Sequence, residues 1–237
     1  MLAMTKNYAH RGFSGKYPEN TMIAFEKAIE IGADGIETDV QLTKDGVPVI
    51  CHDFSIDRCS NGTGSVSEYT FEYLRTLEFG GQKIPTLDET LALFAPSKLG
   101  VNIEIKNDFG RFPGIEEKVV ALVQKYQMQK RVIISSFDHA TVLRCRALDP
   151  SIDIGFLYEC YYQEMGDYCA RNGVKNAHPN WRKLDEKSIA NLRKNGCRIN
   201  AWTVNEEADI RRLIDLGFDI IIGNNPDLVK DCLATPV

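Results

Sequence analysis

Gly35-Ile36-Glu37-Thr38-Asp39-Val40-Gln41-Leu42-Thr43-Lys44-Asp45-Gly46-Val47-Pro48-Val49-Ile50-Cys51-His52-Asp53 reads as two strands folded about an Asp45-Gly46 turn. Asp-Gly between alternating apolar residues predicts a tight hairpin, because a type I′ turn needs positive φ at both central positions. A two-residue loop at 45 and 46 sets Lys44 opposite Val47, Leu42 opposite Val49 and Asp39 opposite His52. Counted out from the closing pair, Asp39 and His52 form a non-hydrogen-bonded pair, the kind with the closer side chains. Pro48 falls at a non-hydrogen-bonding site, where its missing N–H removes no bond between the two arms. Glu37 shares the Asp39 face by the period of two. Two carboxylates and an imidazole are thus expected side by side, which points to chemistry.

Outward from this hairpin, short β-branched runs alternate with amphipathic stretches along the chain. Strands are expected at 7–10, 35–39, 101–105, 132–135, 152–157, 174–177, 199–203 and 220–222, and helices at 21–31, 87–95, 115–128, 138–148, 161–172, 185–195 and 206–216, with a short one after Pro226. Such βαβα alternation implies a parallel sheet, and eight repeats imply an α/β closed (β/α)₈ TIM barrel. No helix separates 47–52 from the second strand, so that segment returns antiparallel. It reads as a hairpin rising above the C-terminal face and continuing into an insertion over about 53–84. The insertion's Phe54, Tyr69, Phe71, Tyr73 and Phe79 are expected mostly to form its own small core. Asn20 or Thr21, and Ser136 or Asp138, suit helix N-caps. With no linker or low-complexity segment, residues 1–237 are expected to form a single domain.

The net charge of -5 over 237 residues argues against non-specific binding to nucleic acid or to an anionic membrane. The cysteines at 51, 59, 145, 160, 169, 197 and 232 are odd in number and lack zinc-type spacing, so reduced thiols are expected. The first residues, Met1-Leu2-Ala3-Met4-Thr5-Lys6-Asn7, lack the apolar core of a leader, and apolar runs are too short to span a bilayer. The expectation is a cytoplasmic protein with no stable membrane association. Oligomeric state is not legible.

Four strand ends then converge on one barrel face: His10-Arg11-Gly12, Glu37-Thr38-Asp39 with His52 folded back, Glu104-Ile105-Lys106, and Trp202-Thr203-Val204-Asn205. Glu37, Asp39 and Glu104 offer hard oxygen ligands that suit Mg²⁺ or Ca²⁺ rather than zinc. The competing reading pairs these acids with Arg11 and Lys106 in a closed ion network. Arg11 and Lys106 supply the fixed positive charge that a phosphate needs. His10 and His52 can divide proton removal from proton donation. His139 and His178 read as structural, although His178 ends a strand and could line the pocket. Trp202 is either barrel core or a surface for the organic part of a substrate.

His10-Arg11-Gly12, Pro18-Glu19-Asn20-Thr21, Glu37-Thr38-Asp39-Val40, Asp45-Gly46-x-Pro48-Val49-x-x-His52-Asp53, Ile84-Pro85-Thr86-Leu87-Asp88-Glu89, Glu104-Ile105-Lys106 and Trp202-Thr203-Val204-Asn205 together resemble, in order and spacing, the glycerophosphodiester phosphodiesterase family. Each motif is weak alone; the ordered set, from about residue 8 to 227, is specific. The resemblance implies a barrel enzyme that hydrolyses small-molecule phosphodiesters such as glycerophosphocholine or glycerophosphoethanolamine to glycerol 3-phosphate and an alcohol. It implies His10 and His52 as the acid/base pair, and Glu37, Asp39 and Glu104 as ligands of one divalent cation, Mg²⁺ or Ca²⁺. Arg11 would bind phosphate with Lys106 beside it, while Glu19 and Asn20 support the first loop. Departures are mild: Cys51 stands where relatives often carry an apolar residue, and Asn224-Asn225 precede Pro226 where Thr and Asp are common. Two rival readings are a phospholipase D-type barrel acting on lysophospholipids and a non-catalytic phosphate-binding barrel.

Overall fold

A computed structural model describes residues 4–107 and 110–235. Three of the N-terminal residues read above for a leader, 1–3, lie outside this set. Nine strands form one sheet: β1 (Lys6–His10), β2 (Gly35–Leu42), β3 (Pro48–Ile50), β4 (Gly100–Ile105), β5 (Val132–Ser136), β6 (Asp153–Tyr158), β7 (Asn176–Pro179), β8 (Arg198–Ala201) and β9 (Ile220–Gly223). All neighbours pair in parallel except β3, which runs antiparallel on β2, and the β1–β2 and β1–β9 pairings close the barrel. Around it lie α1 (Met22–Glu30), α3 (Leu87–Phe94), α4 (Ile115–Lys125), α5 (His139–Leu148), α6 (Met165–Arg171), α7 (Glu186–Lys194), α8 (Glu207–Asp215) and α9 (Pro226–Ala234), while α2 (Phe71–Thr76) belongs to the insertion. The chain is thus a (β/α)₈ barrel.

Local chemistry sets the helix starts. Thr86 and Glu89 form a reciprocal capping box before α3, as do Asp185 and Ser188 before α7. Thr21, not Asn20, caps α1, and Asp138 caps α5. The largest core lies between strands and helices, around fully buried Ile36, Val40, Phe25 and Phe94. Inside the barrel, Tyr8, Ile133, Ile220 and Ile222 form a separate apolar plug below the site. Gly35 and Gly100 make room for it, because a Cβ at either position would strike the Tyr8 ring or hydroxyl.

The hairpin differs from expectation by one residue. Val40 pairs Ile50, Gln41 pairs Val49 and Leu42 pairs Pro48, while the Cys51 N–H donates to the Asp39 carbonyl at 3.0 Å. Asp39 therefore faces Cys51, not His52. The loop has three residues, Lys44-Asp45-Gly46, with the Gly46 N–H on the Thr43 carbonyl (2.9 Å) and Gly46 at φ 76°. That is a turn closed by a left-handed glycine bulge, the next most favoured hairpin loop. Thr43 decides between the two: its Oγ1 accepts the Val47 N–H at 2.9 Å and donates to Asp45 Oδ1 at 2.6 Å. Pro48 stays on the non-hydrogen-bonding parity, since its strand neighbour Ile50 turns its N–H outward to Pro85.

The insertion has an apolar core of Val49, Cys51, Ile56, Val66, Leu74, Phe79 and Ile84. Its aromatics are less central than expected. Phe79 is buried there, Tyr69 and Phe71 pack on the margin, Phe54 joins the main barrel core and Tyr73 is exposed.

Candidate active site

Parallel registry puts His10, Glu37 and Asn102 in one row across β1, β2 and β4, with Asp39 beside Glu104 one step above. The period of two turns all five inward at the C-terminal mouth. A cleft of about 410 Å³, open mouth included, is lined by His10, Arg11, Glu37, His52, Asn102 and Glu104 on its polar side, and by Phe137, Leu157, Trp202 and Ile222 on its apolar side.

Glu37, Asp39 and Glu104 are buried, and one carboxylate oxygen from each lies within 4.8 Å of the others. Two cations stand against these three acids. Lys106 Nζ reaches Glu104 Oε1 at 2.8 Å and Asp39 Oδ1 at 4.0 Å; Arg11 Nε lies 3.5 Å from Asp39 Oδ2. With all three carboxylates ionised, the network would be one positive charge short of closure. Burial first, and the Asp39 and Glu104 charges second, push Glu37 well above the usual carboxylate range. Burial also raises Glu104, with Lys106 opposing. For Asp39, burial is outweighed by His52, Arg11, Lys106 and the Asn20 hydrogen bond, and its pKa is lowered. Among the described residues, Asp39 Oδ1 is buried without a hydrogen-bond partner. An orphaned carboxylate oxygen in an all-oxygen donor set with surplus negative charge fits a hard divalent cation.

Two non-glycine residues in left-handed backbone, Arg11 (φ 54°) and Asn20 (φ 56°), flank the first loop and share a backbone bond of 2.9 Å. Such strain concentrates at functional sites. It lets the Arg11 N–H reach Glu37 Oε2 at 3.1 Å, while Asn20 donates to Asp39 Oδ2 at 2.8 Å and accepts from Thr38 at 2.9 Å. Glu19 takes the Arg11 guanidinium at 2.9 Å.

His10 Nδ1 bonds Asn224 Oδ1 at 2.6 Å and its Nε2 lies 3.7 Å from Glu37. Burial and the Arg11 charge lower its pKa to about 4. His52 Nδ1 bonds Asp53 Oδ1 at 2.6 Å. Both rings therefore spend Nδ1 on an oxygen and keep Nε2 for the cleft. His52 reaches the mouth because the Gln41 amide donates to the Cys51 (2.8 Å) and Asp53 (2.7 Å) carbonyls on either side of it. Trp202 lines the cleft, donates to the His178 carbonyl at 2.8 Å and meets Phe137 edge-on at 5.6 Å. His178 is fully buried against Asn200 and does not line the cleft, and His139 stacks on Phe156. Sequence reading missed Asn224, Asp53 and Phe137 as participants. Asn224 stood out only as a departure before Pro226.

The sequence pattern of the glycerophosphoryl diester phosphodiesterase family matches residues 10–228. The chain is 40% identical to a glycerophosphodiester phosphodiesterase of Caldanaerobacter subterraneus subsp. tengcongensis over 92% of this chain and 93% of the relative. It is also 40% identical to one of Bacillus altitudinis, over 94% and 96%. Among solved structures it resembles an Oleispira antarctica phosphodiesterase in complex with the product sn-glycerol-3-phosphate (TM-score 0.87, 25% identity, 99% and 98% coverage). It likewise resembles glycerophosphodiester phosphodiesterase from Agrobacterium tumefaciens (TM-score 0.81, 27% identity, 98% and 100% coverage). Family match, fold and an acidic, two-histidine barrel mouth agree: the chain belongs to the glycerophosphoryl diester phosphodiesterase family and is a phosphodiester hydrolase.

Proposed function

We propose that this enzyme hydrolyses small glycerophosphodiesters, glycerophosphocholine and glycerophosphoethanolamine among them, to glycerol 3-phosphate and an alcohol. The observation that carries the reading is the placement of two histidines, each with Nδ1 engaged, at one cleft beside three acids and two cations. Glu37, Asp39 and Glu104 would hold one divalent cation, with Mg²⁺ and Ca²⁺ both suited to the donor set. When bound, the cation offsets the phosphate's charge and the charge that develops in the transition state.

The chain's own groups do the rest. Arg11, fixed from both sides by Glu19 and Asp39, binds a phosphate oxygen, and Lys106 adds positive charge at the same place. His10 and His52 share the proton work: one takes the proton of the attacking hydroxyl and the other protonates the leaving alkoxide. Trp202 packs against the substrate's organic part. Barrel and insertion act as one domain, and the cysteine pattern fits a cytoplasmic setting. Among the described residues, no helix is long and apolar enough to cross a membrane.

Turnover of glycerophosphocholine, glycerophosphoethanolamine and lysophosphatidylcholine, each with Mg²⁺, Ca²⁺ or excess chelator, tests this. Hydrolysis of the glycerophosphodiesters that is lost on chelation and restored by either ion is expected. Full activity after thorough demetallation would remove the cation from the reading. Turnover of the lysophospholipid alone would reassign the substrate, and a thermal shift with glycerol 3-phosphate but no turnover would reduce the protein to a binder.

A further inference from the structure

Arg58 sits on the insertion outside the cleft, yet its guanidinium touches supports of both halves of the site. Its Nε donates to Asp53 Oδ2 at 2.6 Å, and its two terminal nitrogens take Glu19 Oε1 at 2.6 Å and Oε2 at 3.0 Å. The other Asp53 oxygen holds His52 Nδ1 at 2.6 Å, and Glu19 Oε1 also holds Arg11 at 2.9 Å. One continuous line of charge-assisted bonds therefore runs from His52 through Asp53, Arg58 and Glu19 to Arg11. Taking the acid/base and phosphate roles proposed above as its basis, we infer that Arg58 is a positioning residue that locks the proton-transfer histidine and the phosphate-binding arginine into one shared geometry.

Three physical points carry this. The planar fork of arginine has donors enough to grip Glu19 with two nitrogens and Asp53 with a third; a lysine, a point charge, reaches one carboxylate well but not both. The bond pattern is also directional. Asp53 fixes which nitrogen of His52 carries the proton, and Glu19 aims Arg11, so loosening Arg58 frees both at once. Finally, stability is a poor explanation for the network. The Arg58 side chain is 52% exposed, and solvent-screened ion pairs add little to folding.

The test uses the full chain with Mg²⁺ and glycerophosphocholine, comparing Arg58→Met, Arg58→Lys, Asp53→Asn, Glu19→Gln and the corresponding double variants. Arg58→Met is expected to lower kcat about tenfold or more and to raise KM, with only a small loss of Tm. Asp53→Asn should act mainly on kcat, and Glu19→Gln mainly on KM. Adding Arg58→Met to Asp53→Asn should cost far less kcat than it does alone, the mark of a shared chain. Arg58→Lys should restore one parameter and not the other. In NMR, the downfield His52 Nδ1 proton should broaden in Arg58→Met and vanish in Asp53→Asn. Arg58→Met with kcat and KM both within about twofold of wild type, or losses that simply multiply in the double variants, would overturn the inference. So would Arg58→Lys matching wild type in both parameters, which also decides the matter if the methionine variant fails to fold. His10→Ala and His52→Ala serve as controls. If they keep activity, the acid/base reading has failed; if they lose it while Arg58→Met does not, only the positioning role has.

Discussion

The site is made of two unlike halves. In the barrel half, on β1, β2 and β4, Glu37, Asp39 and Glu104 are buried and His10 is nearly so, and like charges press on one another there. The insertion half, His52, Asp53 and Arg58, is partly open to solvent and each group has a partner of opposite or complementary character. Strand registry builds the first, and the carboxylates must stay where β2 and β4 put them. Hydrogen bonds from Gln41 and Arg58 build the second, and they hold a loop that has no registry of its own. Buried surplus negative charge suits the uptake of a cation; satisfied surface charge holds a side chain in place.

The largest effect is expected from removing one histidine from each half. His10→Ala and His52→Ala should each depress kcat by about a hundredfold or more with folding retained, measured on glycerophosphocholine beside circular dichroism. Equal losses mean the halves act as one machine; near-wild-type turnover in either variant would assign proton transfer to the other half alone. Next in size is Leu74→Ala, at a fully buried position of the insertion core. It should destabilise by about 2–5 kcal/mol and lower kcat through His52 while the far-UV signal of the barrel persists; denaturant melts followed by turnover check this.

The pH dependence of stability in chelator sharpens the contrast, because the two halves should answer with opposite sign. Burial and neighbouring acids raise Glu37 from 4.5, so the folded protein binds more protons than the unfolded chain, and stability falls as pH climbs from 4.5 through the raised value. Asp53 is lowered from 3.8 to about 2, chiefly by its Arg58 hydrogen bond, so its contribution is present above 3.8 and lost as pH falls through 2. Denaturant titrations across this range should lose the first slope in Glu37→Gln and the second in Asp53→Asn. Smallest is Trp202→Ala, which should raise KM by about tenfold or less and leave kcat near wild type.

Strand and helix alternation, and with it the barrel, was readable because period-2 and period-3.6 patterns are local. The inward row of Glu37, Asp39 and Glu104 followed from the same period. The hairpin register was not readable, since Asp45-Gly46 suits both a two-residue turn and a three-residue turn with a glycine bulge. The Thr43 hydroxyl tips the balance, and nothing in the Asp-Gly pair announces it. Asn224 was invisible as the partner of His10 because 214 residues separate them and only barrel closure through β9 brings them together. Arg58 was invisible for a different reason: its bonds depend on loop geometry with no period to read.

One further consequence follows from the plug of Tyr8, Ile133, Ile220 and Ile222 beneath the site. Ile222 lines the cleft, whereas Tyr8, Ile133 and Ile220 line a separate pocket on the other side of the plug. On the proposed function, substrate would enter and products would leave through the cleft mouth beside Trp202, Phe137 and His52. Product exit and substrate entry would then share that mouth, so turnover at saturation is expected to depend on product release as well as on bond cleavage.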